Sequence, residues 1–448
     1  MATLSSLPGV VLAQAGGGNE FVEWGIASLI LFAIVAWLAR LIVDKGDSAW
    51  LPALIVGAFA AKLAGTTARY FMVNDYYRGG DAFDYHAQGR AFAEIWRTLT
   101  VPVSASGGEG TAFTELTTGV FYAIYTPDSM RTGFLMFAFV AFLGQLLFYS
   151  AFRRWMNIRQ RKRFAIAVLF FPSLVFWPAS IGKDSLMMFF IGLAALGISK
   201  LFEKFDILGV VYVALGLSLA AQVRPHIAAM LALSAVLAIV IVRGQTSATS
   251  GMRRLVTLGA AVLGLVLAWG SFTADFQVSI QETENTRDPT DFFESVQEQT
   301  AQGGSEVSGG VVQGPQDIPA ATLKVLFRPL IYEGTSPPVL LSAVDGTILL
   351  LVVVWRMPWI WRNKGMLRKN PLLLFSFFYT GGFIIAFSAM LNLGILSRQR
   401  VQVLPFFLAL VVTLAWPPED EDEKPASSEP EVTAETSTKR PLGALPSR

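Results

Sequence analysis

The sequence predicts an all-α protein built into a membrane, and three observations carry that reading. Hydrophobic residues make up 53% of the 448-residue chain and charged residues only 15%, with 34 phenylalanines, which leaves too little polar side chain to cover a water-exposed surface. Mean hydropathy is +0.51, and the apolar residues gather in runs close to the roughly 20 residues that a helix needs to cross a bilayer core. The charges gather in the connections, so the formal net charge of +2 conceals a segregation along the chain.

About eleven runs can be marked as transmembrane helices, near 24–43, 51–73, 131–152, 164–180, 185–201, 207–222, 227–242, 255–272, 339–355, 371–390 and 401–416. Several are short, and neighbouring pairs could instead be re-entrant. Residues 1–20 carry Ala13-Gln14-Ala15, similar to a signal-peptidase site, but lack a basic start; an uncleaved, disordered leader is expected. Residues 21–416 then form the membrane domain.

Orientation follows from the basic loops. Arg153, Arg154, Arg159, Arg161, Lys162 and Arg163 lie between the third and fourth runs, Arg243, Arg253 and Arg254 before the eighth, and Arg356, Arg362, Lys364, Arg368 and Lys369 before the tenth. With an odd number of spans these loops share one face with Arg40 and Lys45, and the excess of basic residues marks that face as cytoplasmic. The chain is thus expected to be a multi-pass protein of the cell membrane with its N-terminus outside. Its Pro-, Glu- and Ser-rich tail, 417–448, is expected to be disordered and inside.

The opposite face receives two long loops, 74–130 and 273–338. In the first, AFAEIWRTL and FTELTTGVFYAIY are expected as juxtamembrane amphipathic helices lying on the interface. In the second, 281–316 is rich in Gln, Glu, Gly, Ser and Thr, which fits either disorder or a lid that orders with substrate. No internal repeat is evident.

The absence of cysteine and the presence of only two histidines exclude disulfides, thiolate chemistry and a His-rich metal centre. No cofactor is expected, a divalent metal staying open, and no nucleic acid.

Candidate chemistry begins just beyond the second run, where Asp81, Asp84 and His86 fall within six residues. The two aspartates stand three apart, which on a helix places them on one face. Burial at a membrane boundary moves a carboxylate toward the range useful to a general base; pairing with Arg78 or Arg90 is the plainer alternative. Lys183 and Asp184 occupy a turn between two short runs, and Pro172 and Pro178 predict a broken helix that aims this turn inward, although neighbouring opposite charges can simply neutralise each other.

Arg224, His226, Arg328, Glu333, Arg398 and Arg400 continue the pattern on the same face. Arginines there run against the usual inside bias, and bidentate binding of phosphate or pyrophosphate oxygens explains them best, with anionic lipid headgroups as the competing partner. Arg224, Arg328, Arg398 and Arg400 are therefore expected to line one cavity. Within the second run, Lys62 is expected to face the bundle and Arg69 to snorkel outward.

An Asp followed by a Tyr four residues later and an Ala-rich helix (Asp81, Tyr85, Ala87, Ala91), with a later acidic residue in a tight turn opening a span (Asp184), resembles the GT-C superfamily. These are polytopic glycosyltransferases that use polyprenyl-phosphate-linked sugars on the outer side of the membrane. The resemblance implies that Asp81 is the catalytic base and Asp184 the second acidic residue of the site. The RQR turn before Pro405 is similar to the late basic motif of polyprenyl-linked sugar transferases and polymerases, which implies a role at the lipid phosphate for Arg398 and Arg400. Asp84 completes the catalytic candidates; His86, Lys183, Arg224, His226, Arg328 and Glu333 are the other candidates for binding substrate or lipid phosphate. The chain departs from the family pattern in an extra early span, in the doublet Asp81/Asp84, and in showing no recognisable soluble C-terminal domain. The function expected is transfer of a sugar from a polyprenyl-phosphate donor to a glycan, lipid or protein acceptor among membrane lipids, for cell-envelope glycan assembly. A repeat-unit polymerase of the same chemistry, or a transporter or flippase that makes no bond, is the alternative.

Overall fold

The computed structural model describes residues 17–43, 50–98, 109–125, 129–242, 314–334 and 336–417, with 259 and 312 as isolated positions. The run expected at 255–272, the basic residues 243, 253 and 254, most of the 281–316 segment and all but the first residue of the 417–448 tail lie outside them. Among the described residues every regular element is a helix and there is no strand. That is the outcome lipid imposes on an open chain, since a helix satisfies its own backbone hydrogen bonds.

Fifteen α-helices are described, numbered here in chain order. They are α1 (Gly17–Ile42), α2 (Leu51–Phe71, continued as a π-helical turn Met72–Tyr77), α3 (Asp81–Arg97), α4 (Glu109–Ile124), α5 (Met130–Phe152), α6 (Ile158–Phe170), α7 (Pro172–Phe176), α8 (Lys183–Glu203), α9 (Ile207–Val223) and α10 (Pro225–Ile241). After the undescribed segment follow α11 (Ile318–Phe327), α12 (Pro337–Arg362), α13 (Pro371–Phe387), α14 (Leu393–Arg400) and α15 (Leu404–Ala415). Five stretches are long and apolar enough to cross a membrane: Glu20–Ile42, Leu51–Tyr77, Met130–Trp155, Lys183–Glu203 and Pro337–Arg362. A sixth is added if α14 and α15, bent by 65° at their break, count as one span. Helices α9, α10 and α13 are apolar but shorter. Helix α1 starts at Gly17, inside the expected leader, with Glu20 in its first turn, where the helix dipole favours an acidic residue.

Helix α8 is the hub, packed between α5 and α9. Small residues let these backbones approach: a Cβ on Gly144 of α5 would lie 2.4 Å from the Met188 carbonyl oxygen, and one on Gly216 of α9 would lie 2.5 Å from the Ala194 nitrogen. Close glycine contacts of this kind hold helices together in lipid, where hydrophobicity alone does not. Helices α3 and α4 pair in the same way, Gly89 against Thr118 and Gly119 against Phe92.

The expected fourth run, 164–180, is not one helix. Proline at 172 has no N–H to donate and disfavours a helical residue before it, so α6 stops at Phe170 and Phe171 turns to φ −58°, ψ 124°. The backbone groups released are taken up by side chains from other spans. Lys62 Nζ donates to the Leu174 carbonyl at 2.9 Å, Thr66 Oγ1 to that of Ala179 at 2.7 Å and Gln145 Nε2 to that of Val168 at 2.7 Å, while Ser173 N–H donates to Asp345 Oδ2 at 2.8 Å. Lys62 does face the bundle, and this is what it does there.

One end of the bundle gathers the basic residues. Arg153 donates to the Ile42 carbonyl, Arg154 pairs with Glu203 at 2.7 Å, and Trp416 lies between the guanidinium groups of Arg163 and Arg356, 5.0 and 4.5 Å from its ring centre. Segments at or near the termini of α1, α5, α6, α8, α12 and α15 therefore meet at this end. The candidate residues lie at the other.

Candidate functional site

Helices α3 and α8 present their first residues to each other through the same local device. Each follows a glycine with positive φ, Gly80 at 110° and Gly182 at 152°, a conformation that costs a residue with a Cβ strain and glycine none. The turns set Asp81 and Asp184 in the first turns of their helices, where the dipole favours negative charge.

Asp184 is the buried centre. Arg224, in the turn between α9 and α10, donates to its Oδ1 at 2.9 Å, and Arg398 of α14 donates to its Oδ2 through Nε. Both guanidinium groups thus converge on one carboxylate. The Asp184 side chain is 6% exposed, that of Arg398 30% and that of Asp81 63%, so the cluster grades from a sealed core to an open edge. A guanidinium nitrogen of Arg398 stands 3.9 Å from Asp81 Oδ2, a loose pair. The Lys183 amine lies within the field of Asp81, Asp184, Arg224 and Arg398.

A cavity of about 690 Å³ opens on this edge, within the size range of small-molecule sites, lined by Arg69, Tyr77, Asp81, Trp177 and Arg398 among others. The π-helical end of α2 carries Tyr77 into it. Arg69 corrects an expectation: it does not snorkel outward but is 8% exposed, with its guanidinium carbon 4.9 Å from the Trp177 ring centre and 5.4 Å from that of Phe176. Cation–π contact of this kind explains how it is held inward.

The remaining candidates divide. Asp84 is exposed and sits on the side of α3 that acts on Glu115 of α4. Burial pushes the Glu115 carboxyl above its ordinary range, Asp84 adds to the effect and Lys183 opposes it. His86 Nδ1 shares a hydrogen bond of 2.8 Å with the Tyr122 hydroxyl and ties α3 to α4. Tyr85 is buried, and burial first and Asp81 second push its hydroxyl up to about 12. His226 is exposed beside the Phe387 ring, 6.1 Å between centres.

The expectation that four arginines share one cavity is met by Arg398 on its wall and Arg224 behind it, and fails for the other two. Arg328 donates from Nε to both carboxylate oxygens of Glu333, at 2.9 and 3.1 Å, and Glu333 also accepts the Leu330 N–H at 2.7 Å; five residues apart, the pair staples its own loop. Arg400 is fully buried, donating to the Leu326, Arg328 and Ser342 carbonyls and at 3.1 Å to Asp345 Oδ1. Sequence reasoning gave neither Arg69 nor Glu115 a place here and passed over Asp345. An acid inside an apolar run was the available signal for Asp345, as the Thr-flanked acid of FTELTTG was for Glu115. Among the described residues no group of three acidic or His side chains is arranged to hold a metal ion.

No family model, curated protein or solved structure matches the chain.

Proposed function

We propose that the chain is a membrane glycosyltransferase that moves a sugar from a polyprenyl-phosphate-linked donor to an acceptor on the outer face of the membrane, for cell-envelope glycan assembly. The observation that carries the reading is the convergence of Asp81, Asp184, Arg224 and Arg398, from widely separated parts of the sequence, at one cavity edge. The gathering of basic loops at the opposite end supports the proposed orientation, with about eleven spans, the N-terminus and the loops 74–130 and 273–338 outside, and the tail in the cytoplasm.

In this reading Asp81, exposed at the cavity edge, takes the proton of an acceptor hydroxyl as its oxygen attacks the anomeric carbon of the donor sugar. The bond from that carbon to the phosphate oxygen breaks, its electron pair leaves with the lipid phosphate, and Arg398 stabilises the charge that develops. Asp184 and Arg224 fix the orientation of Arg398 from behind. The purified protein, given a donor labelled in the sugar, is expected to release polyprenyl phosphate only when an acceptor is present. Retention of the donor intact, with the lipid moved between leaflets of a vesicle, would sink the transferase and leave a flippase.

A further inference from the structure

Arg69 has hydrogen-bonding capacity that nothing among the described residues takes up. Its Nε and Nη1 are buried without a hydrogen-bond partner, although it sits within the Leu51–Tyr77 span. Buried guanidinium donors normally find acceptors, because leaving them empty in an apolar setting is costly. Arg400, equally surrounded by apolar helices, hands its Nη donors to three carbonyls and a carboxylate and keeps only its Nε without a partner among the described residues. Arg69 instead lies between aromatic faces and the cavity, close enough to feel the charges of Arg398 and Asp184.

The charges of the site do not balance. Three guanidinium groups, Arg69, Arg224 and Arg398, and the Lys183 amine stand against the two carboxylates of Asp81 and Asp184, leaving positive charge in excess. Both cations on the cavity wall are arginines, whose planar forks suit the oxygens of a phosphate. Arg69 is eight residues before Tyr77, about 12 Å down the helix from its cavity end at the usual rise. An anion reaching that depth is more readily carried by a lipid than by water. Val73, Ile181, Val339 and Ile395 supply an apolar wall beside it.

We infer that Arg69 and Arg398 together clamp the phosphate of a lipid phosphate in this cavity. The inference rests on the transferase reading only for the source of that phosphate. Binding without sugar transfer leaves it standing, whereas transfer undiminished in Arg69→Met removes the clamp and spares the transferase.

The test measures binding of labelled decaprenyl phosphate to the purified full-length protein in phospholipid-free detergent, with decaprenol, inorganic phosphate and phosphatidylglycerol as competitors. Wild type is expected to bind decaprenyl phosphate and to ignore decaprenol. Arg69→Met should weaken binding at least tenfold, and Arg69→Lys should recover part of it, since an ammonium keeps the charge and loses the fork. Without ligand, Arg69→Met should melt no lower than wild type, because the change removes buried donors without acceptors among the described residues and leaves an apolar side chain against Trp177 and Phe176. Displacement by phosphatidylglycerol supports the clamp and assigns its phosphate to a membrane phospholipid. Binding by Arg69→Met equal to wild type overturns the clamp, as does displacement by decaprenol or inorganic phosphate as effective as by decaprenyl phosphate itself. Should Arg69→Met fail to fold, undiminished binding by folded Arg69→Lys and Arg69→Gln overturns it instead.

Discussion

Arg398 and Arg400 leave the same short helix two residues apart and enter opposite kinds of site. Arg400 is sealed: Asp345 answers its charge, three backbone carbonyls accept from it, and Asp345 in turn caps the broken helix at Ser173. Lys62 and Gln145 work in the same way nearby, Gln145 ending on the Val168 carbonyl that Pro172 leaves without a donor and Lys62 on the Leu174 carbonyl that Pro178 leaves without one. Arg398 is graded instead, from buried Asp184 on one side to open Asp81 on the other, with a cavity in front. Charge inside an apolar bundle is therefore not by itself a sign of function. Where side chains complete the backbone they hold the fold, and where capacity is left facing a cavity they can hold a ligand.

The comparison is broken most severely at its sealed half. Replacing Arg400 by Met leaves Asp345 buried without its counter-charge, which should lower stability by about 3–5 kcal/mol. Scanning fluorimetry of the purified protein should show a much lower melting temperature or no folded protein at all; a wild-type melting curve would mean that the two halves do not differ.

At the open half the largest effect should fall on turnover rather than stability. Asp81→Asn keeps shape and removes basicity, so sugar transfer should drop on the order of 100-fold or more while the melting temperature stays near wild type, because the side chain is 63% exposed. Unchanged transfer in a folded preparation would remove Asp81 from the mechanism. Asp84→Asn should cost about tenfold or less, since Asp84 is exposed and does not line the cavity; a larger loss than at Asp81 would exchange their roles.

The smallest effect sharpens the comparison by pH. Lys324 of α11 donates to the Ser388 carbonyl at 2.8 Å, and burial first and Arg328 second bring its ammonium down to about 8 from 10.5. Between those values the unfolded chain holds a proton that the folded protein has lost, so stability contributed at this position rises with pH from about 8 to about 10.5 and is flat outside that window. The melting difference between wild type and Lys324→Met should shift in favour of wild type across that interval. A difference independent of pH would show that Lys324 keeps its ordinary acidity.

The helical, membrane-built character was legible because apolar runs announce themselves, and Pro172 announced the break, but of about eleven expected spans only five, or six with the bent pair, are long and apolar enough among the described residues. The turn at Gly182 could likewise be placed from its prolines and its neighbouring charges. The doublet Asp81/Asp84 could not be resolved in one dimension: a spacing of three puts both on one side of α3, and only the packing of α14 shows Asp81 to be the one beside Arg398 and the cavity. The same limit explains Arg398 and Arg400, two like residues in one motif that the neighbouring helices assign to different partners.

Composition and periodicity by themselves determined that the chain is helical, apolar and built for a membrane, because those properties are set residue by residue against the solvent. Which charges are used up inside the fold and which remain open was decided only in three dimensions. A guanidinium's partners come from helices far away in sequence, and Arg69, which reads in one dimension as a side chain on its way out to water, is turned inward by Trp177 and Phe176 from the far side of the broken helix.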